Sequence, residues 1–284
     1  MSKFSVIVTV VMLVLSISAF GVYLYSDIYS EITDEYPEIT LKNDILSLSV
    51  TSTEKDYLEN VTAHDAEDGD ITENVIVESI SPFDENKVRT VTYVACDSAN
   101  HVVKKTCSLI YTDYTPPTIK QTQPLRLQKG GKTDGILKAF TATDVIDGDL
   151  TGKIKIESMP STDEEGFFPV SISVTNSAGD TSTVTVMCEV LSEPKKAPTV
   201  YLTDYIVYKK SESFDPMSYV DTVSSAVIKT IDGHLTEETI DISNVYWECD
   251  TDLTTAAPGS YIVTFWTENS AGIIGYTYMT VIIN

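Results

Sequence analysis

The stretch "AHDAEDGDIT", residues 63–72, places four carboxylates in six positions: Asp65, Glu67, Asp68 and Asp70. Residues 142–151 repeat the pattern as "ATDVIDGDLT", with Asp144, Asp147 and Asp149. Acids at i, i+3 and i+5 of a tight loop can converge on calcium, which takes six to eight oxygens at about 2.3–2.6 Å. A pair such as Asp65 and Asp70 can be imagined as the acid and base of glycoside hydrolysis. The same letters also build a turn, with Asp-Gly bending the chain and a carboxylate accepting local backbone N–H groups. The spacing D-x-x-D-G-D is not that of the EF-hand loop. Turn and calcium therefore both stay open, with Asp65, Asp68, Asp70, Asp144, Asp147 and Asp149 as the candidate ligands. The hydrolase reading is weak, because the motif recurs in small repeats that leave no room for a sugar cleft.

Other chemistry is thin. His64, His101 and His234 form no cluster in the sequence. No G-x-S-x-G, H-E-x-x-H or phosphate-cradling glycine loop is present. Cys96, His101 and Cys107 resemble part of a zinc site, but a fourth ligand is missing and the spacing does not suit a finger. The expectation is a protein that is not an enzyme.

The elements that carry these turns are strands. Val170, Ile172 and Val174 alternate with Ser171, Ser173 and Thr175, a period of two that buries one face. Three units of roughly 80 residues follow one plan. Each opens on a proline-led extended stretch: "YPEITLKND", "PPTIKQTQP" and "APTVYLTDY". Each closes on a strand, a small-residue turn and a strand, with "DSANH", "NSAGD" and "NSAG" as the turns. Asn100, Gly179 and Gly272 sit where a left-handed residue is needed. No helical periodicity is evident beyond residue 26. The fold class expected is all-β: three tandem Ig-like β-sandwiches of about seven strands after an N-terminal transmembrane helix. The domains are 1–26 (membrane anchor), 36–114, 115–196 and a divergent 197–284.

The anchor is read from residues 4–25, which carry no charge in 22 positions. At 1.5 Å per residue they span a bilayer core of about 30 Å. Lys3 precedes the run; Asp27, Glu31, Asp34 and Glu35 follow it. The positive-inside rule places the N-terminus in the cytoplasm and the bulk of the chain outside, in a single-pass protein of the cell membrane. A cleaved signal peptide is the rival, although its apolar region usually runs about 7–15 residues. With 42 acidic against 19 basic residues the net charge is −23, which repels nucleic acid and attracts cations.

These motifs resemble the bacterial surface protein Ig-like domain family, whose pattern is A-x-D-x-x-D-G-D-x-T followed by Y-x-V-x-Y-x-A-x-D-S-A-G-N. The first copy matches at Ala63, Asp65, Asp68, Gly69, Asp70 and Thr72, then at Val91, Tyr93, Ala95, Asp97, Ser98, Ala99 and Asn100. The second matches at Ala142, Asp144, Asp147, Gly148, Asp149 and Thr151, then at Asn176, Ser177, Ala178 and Gly179. In the third, "FDPMSYVD" ends at Asp221, an insertion "TVSSAVIKT" follows, and "IDGHLT" puts His234 in place of an acid. The resemblance implies the sandwich fold and little about function, because such domains are spacers and binding modules in many proteins.

Cys96 follows the inward Ala95 and is expected to face out, whereas Cys107 shares parity with Leu109. Opposite faces disfavour a disulfide between them. Cys188 is expected to pack as a small core residue. The linkers "TPPT" (115–118) and "SEPKKAPT" (192–199) are short and proline-bearing, hence stiff. Strands of about 3.3 Å per residue imply a rod reaching about 110 Å. Its expected role is a structural or spacer element of a bacterial surface. The alternative is an adhesin that binds a protein or glycan through repeat 3, with Tyr246 and Trp247 as exposed candidates. For Trp247 and Trp266 core packing is the competing reading.

Overall fold

The computed structural model describes residues 3–33, 36–133, 135–159, 161–209, 214–228 and 235–283. It divides into two compact units, Met1–Tyr111 and Thr112–Asn284. Among the described residues, strands dominate, and one long helix, α1 (Lys3–Thr33), leads the chain. Its Val6–Ser26 stretch is long and apolar enough to cross a membrane, and none of it is buried against the protein.

The first unit continues with seven strands: β1 (Glu38–Leu41), β2 (Ile45–Leu48), β3 (Val61–Asp65), β4 (Gly69–Asp70), β5 (Ile76–Ile80), β6 (Arg89–Cys96) and β7 (Val102–Tyr111). They form two sheets, ordered β1-β3-β4 and β2-β7-β6-β5. The proline-led opening stretch is thus shared between both sheets: β1 pairs antiparallel with β3, and β2 pairs parallel with β7. Alternation decides the faces. Val91, Tyr93 and Ala95 of β6 meet Cys107 and Leu109 of β7 in the core, with Ile39, Val61 and Ala63 opposite. Each fully buried aliphatic there contributes about 1.5–3 kcal/mol.

A short helix, α2 (Glu54–Leu58), breaks the all-strand expectation in this unit. Its start is set by Thr53, whose N–H donates to the Asp56 carboxylate at 2.7 Å. The helix lowers Tyr57 into the core, where its carbonyl accepts from the Tyr93 hydroxyl at 2.8 Å. Five residues are too few for a helical period to show in the sequence. The T-x-x-D capping pattern was the available signal.

Among its described residues, the second unit holds two further sets of seven strands. The first is β8 (Thr118–Gln121), β9 (Arg126–Gln128), β10 (Phe140–Asp144), β11 (Gly148–Asp149), β12 (Lys155–Ser158), β13 (Gly166–Thr175) and β14 (Thr181–Leu191). The next is β15 (Thr199–Leu202), β16 (Ile206–Lys209), β17 (Val220–Ile228), β18 (Leu235–Thr239), β19 (Tyr246–Glu248), β20 (Gly259–Glu268) and β21 (Ile274–Ile283). Their sheets are β11-β10-β8 with β12-β13-β14-β9, and β15-β17-β18 with β16-β21-β20-β19. One core gathers Ile119, Phe140, Val170, Ile172 and Cys188; another gathers Val200, Val223, Phe265, Met279 and Val281.

The joint inside this unit is packed rather than loose. Arg126 on β9 donates to Glu189 Oε2 at 2.6 Å, to the carbonyls of Ala197, Pro198 and Tyr276, and to Thr199 Oγ1 at 2.7 Å. Five bonds match the five donors of one guanidinium. Glu189 is buried, at 2% exposure, and the Arg126 side chain is nearly so, at 11%. Burial pushes the Glu189 carboxyl up, and Arg126 and a backbone N–H oppose that rise. Nearby, the Tyr208 hydroxyl bonds both the N–H and the carbonyl of Ile119 at 3.1 Å. Thr280 Oγ1 donates to the Thr185 carbonyl at 3.1 Å. Gly275 lies so close to the linker that a Cβ there would fall 1.9 Å from the Pro198 oxygen.

Candidate functional site

The acidic turns are built the same way twice. β3 alternates with Val61, Ala63 and Asp65 inward, so Asp65 is the last inward side chain before the loop. Its Oδ1 accepts the N–H groups of Glu67 and Asp68 at 2.8 and 2.9 Å. Gly69 then takes φ +76°, the left-handed turn that a Cβ would strain. Asp70 accepts the N–H of Thr72 at 3.0 Å, and Thr72 Oγ1 accepts the N–H of Ala63 at 3.0 Å. In the second copy Asp144 accepts from Ile146 and Asp147 at 2.8 and 3.0 Å. Asp149 accepts from Thr151, and Thr151 from Ala142, at 2.9 and 3.1 Å.

The middle acid reaches furthest. Asp68 accepts from both the N–H and the hydroxyl of Ser98, at 2.7 and 2.8 Å, 30 residues along the chain. Asp147 does the same to Ser177, at 2.6 Å for each bond, with Lys153 3.6 Å away. Each thereby clasps the turn of the closing hairpin, β6–β7 or β13–β14. The clasped turns are the ones with left-handed residues, Asn100 at φ 70° and Gly179 at φ 83°. Deeper in the second copy, Asp144 Oδ2 accepts from Asn176 Nδ2 at 3.2 Å. The Ser177 bonds hold the Asp147 carboxyl below the usual range against a smaller opposing effect of burial. The N–H groups of Asp68 and Glu67 do the same for Asp65.

The three acids of each turn therefore face three different sets of donors. Among the described residues, no group of three or more His, Cys, Asp and Glu side chains is placed to hold a metal ion. As folded here, Asp65, Asp68 and Asp70, and likewise Asp144, Asp147 and Asp149, are each engaged by protein donors rather than gathered on one point.

The third copy differs from its sequence reading. Residues 229–234, with Asp232 and His234, lie outside the described residues. The strand register nevertheless fixes the equivalences. Thr118 opposes Thr143, and Thr199 opposes Ser224. Ser225, not Asp221, thus stands where Asp144 stands. It bonds Asn269 Nδ2 at 2.9 Å, as Asp144 bonds Asn176. Asp221 is exposed on β17. Likewise Ile240 donates to the Val223 carbonyl as Leu150 donates to Ala142, so the counterpart of the acidic turn closes at Ile240. The insertion lengthens β17 and β18 into a hairpin, and Glu238 takes the clasp, accepting from Ser270 Oγ at 2.9 Å. The letters "IDGHLT" imitate the motif but sit before it. The asparagine in "ENSAG" was the better guide to the register.

Repeat 3 also carries an exposed aromatic group. Tyr246 and Trp247 are 58% and 43% exposed. Tyr246 stacks on Trp266 across β19 and β20, with ring centroids 6.0 Å apart. Trp266 points outward beside the buried Phe265, so it is not a core residue in the sense that Phe265 is. The same cross-strand pair is Ile76 with Val94 in the first copy and Lys155 with Ser173 in the second. All four cysteines are free; Cys107 and Cys188 are buried, and burial pushes the Cys188 thiol up to about 11.

No family model matches the chain, and no curated protein matches it. Solved structures do. One is the M60 catalytic domain with the CBM51-1 and CBM51-2 domains of Clostridium perfringens ZmpB, at 13% identity and TM-score 0.23, covering 87% of this chain and 31% of that one. The CBM51-2 and INT domains of the same protein, in complex with GlcNAc, match at 12% identity and TM-score 0.22, covering 86% and 38%. The protocadherin GammaB4 extracellular domain matches at 12% identity and TM-score 0.20, covering 87% and 50%. The chain thus spans a third to a half of the length of these structures. Likenesses this distant assign no family, site or ligand.

Proposed function

We propose that the chain is a non-catalytic spacer of a bacterial cell surface, anchored in the membrane by residues 4–25 with its Ig-like domains outside. The observation that supports it most is the joint of the second unit. A buried Arg126–Glu189 pair, a saturated guanidinium and a linker pressed against Gly275 resist bending between two sandwiches. The acidic turns serve the same end. Their carboxylates tie each loop to a hairpin 30 residues away instead of facing a cleft. Protease added to intact cells should remove everything beyond about residue 26 and leave a small membrane-bound stub, as an outward bulk requires. Release of the whole ectodomain without protease would mean a cleaved signal and would remove the anchor from the account.

A second reading is favoured by Tyr246 and Trp247: an adhesin that holds a protein or glycan through repeat 3. Residues 112–284, used as bait in an envelope extract, distinguish the two. One saturable partner, lost on Tyr246→Ala with Trp247→Ala, supports the adhesin. Recovery that is unchanged by the substitutions leaves the spacer.

A further inference from the structure

Beside the joint lies a cleft of about 450 Å³ that neither role uses. Phe167, Tyr276 and Tyr278 form its aromatic wall, Met187 adds to it, and Glu248 and Asp250 also line it. Phe167 meets Tyr276 at 5.0 Å and 70°, and Tyr278 at 5.6 Å and 65°, so the rings make a concave corner rather than a flat stack. Phe167 is 45% exposed, and both carboxylates are exposed. Arg126 donates to the Tyr276 carbonyl nearby, but Glu189 matches its charge at 2.6 Å. The protein's own cation–π contacts among the described residues use Phe83, Tyr111 and Phe214, not these rings.

We propose that this cleft binds an organic cation: a quaternary ammonium group seated in the aromatic corner, with Glu248 and Asp250 as its counter-charge. The negative faces of aromatic rings attract a cation, and the carboxylates exclude an anion. A bulky methylated head suits apolar walls better than a bare ammonium, which holds its water tightly. The net charge of −23 raises the local concentration of any such ligand. A hard metal ion is poorly served, because rings and a thioether make up much of the wall and the two carboxylates fall short of a shell of six to eight oxygens.

The test uses the full chain in maltoside micelles, whose head groups carry no ammonium. Choline chloride is titrated by saturation-transfer NMR on its trimethyl protons, with ionic strength matched by NaCl. Its neutral isostere, 3,3-dimethylbutan-1-ol, is titrated alongside. Choline should saturate and bind about tenfold more tightly than the isostere. Glu248→Gln with Asp250→Asn should narrow the gap between the two ligands without closing it, because the rings remain. Phe167→Leu keeps the apolar contact with both tyrosines and removes the π face; it should weaken choline about tenfold at an unchanged melting temperature. Equal affinity of choline and its isostere for the unaltered protein would overturn the proposal. So would choline binding that Phe167→Leu leaves untouched.

Discussion

Asp147 shows what a single residue does in this fold. Its carboxylate takes two bonds from Ser177, and hydrogen bonds to a charged group are worth about 1.5–3 kcal/mol each. Partial exposure reduces the sum, so Asp147→Asn should cost the second unit about 1–2 kcal/mol. For a unit of this size that is a melting temperature lower by roughly 2–8 °C. The pH dependence has a definite sign. The folded carboxyl titrates below its unfolded value of about 3.9, so its contribution is complete above that value and is lost as pH falls through the lower folded one. The asparagine variant should lack this component in an acid titration. Calcium should add little: melting curves in about 1 mM calcium and in chelator should coincide, because the acids are already committed to protein donors. A calcium-dependent rise that Asp68→Asn and Asp147→Asn abolish would restore the metal reading. The turn itself was legible, because Asp-Gly followed by Thr is local chemistry. The partner of the middle acid was not, because nothing local couples residue 68 to residue 98.

At the scale of elements, alternation carried most of the information. Val170, Ile172 and Val174 are buried as their period of two requires. Two features escaped it. The helix α2 is too short to show a period, and the third copy's hairpin is set by pairing register, which a motif search cannot see. Asp221 and "IDGHLT" looked like the motif by letters, whereas Ser225 and Glu238 fill its places by geometry. Gly275 is an element-scale constraint of the same hidden kind. A glycine beside a strand start reads as a turn, but here it admits the Pro198 carbonyl against β21. Gly275→Ala must displace backbone, so its cost should exceed the typical ~1 kcal/mol of a point substitution. Denaturant unfolding of the full chain measures it. A cost within about 0.5 kcal/mol, as at an unconstrained surface site, would show that the linker is free to move.

At the scale of the molecule, the prolines of "SEPKKAPT" suggested a stiff linker, but the lock on it is Arg126, some 70 residues earlier. An arginine in a short strand announces no partner, and its burial against Glu189 follows only once two sandwiches meet. Removing it alone strands a buried carboxylate, at a cost of about 3–5 kcal/mol, whereas replacing both partners by apolar residues costs far less. Arg126→Met should therefore destabilise the joint more than Arg126→Met with Glu189→Met. With that lock in place, the two sandwiches of residues 112–284 should act as one mechanical unit. Differential scanning calorimetry of the full chain tests this directly. The prediction is that both sandwiches melt in one cooperative transition, and that Arg126→Met splits it in two. Two separate transitions in the unaltered protein, unchanged by Arg126→Met, would contradict the account.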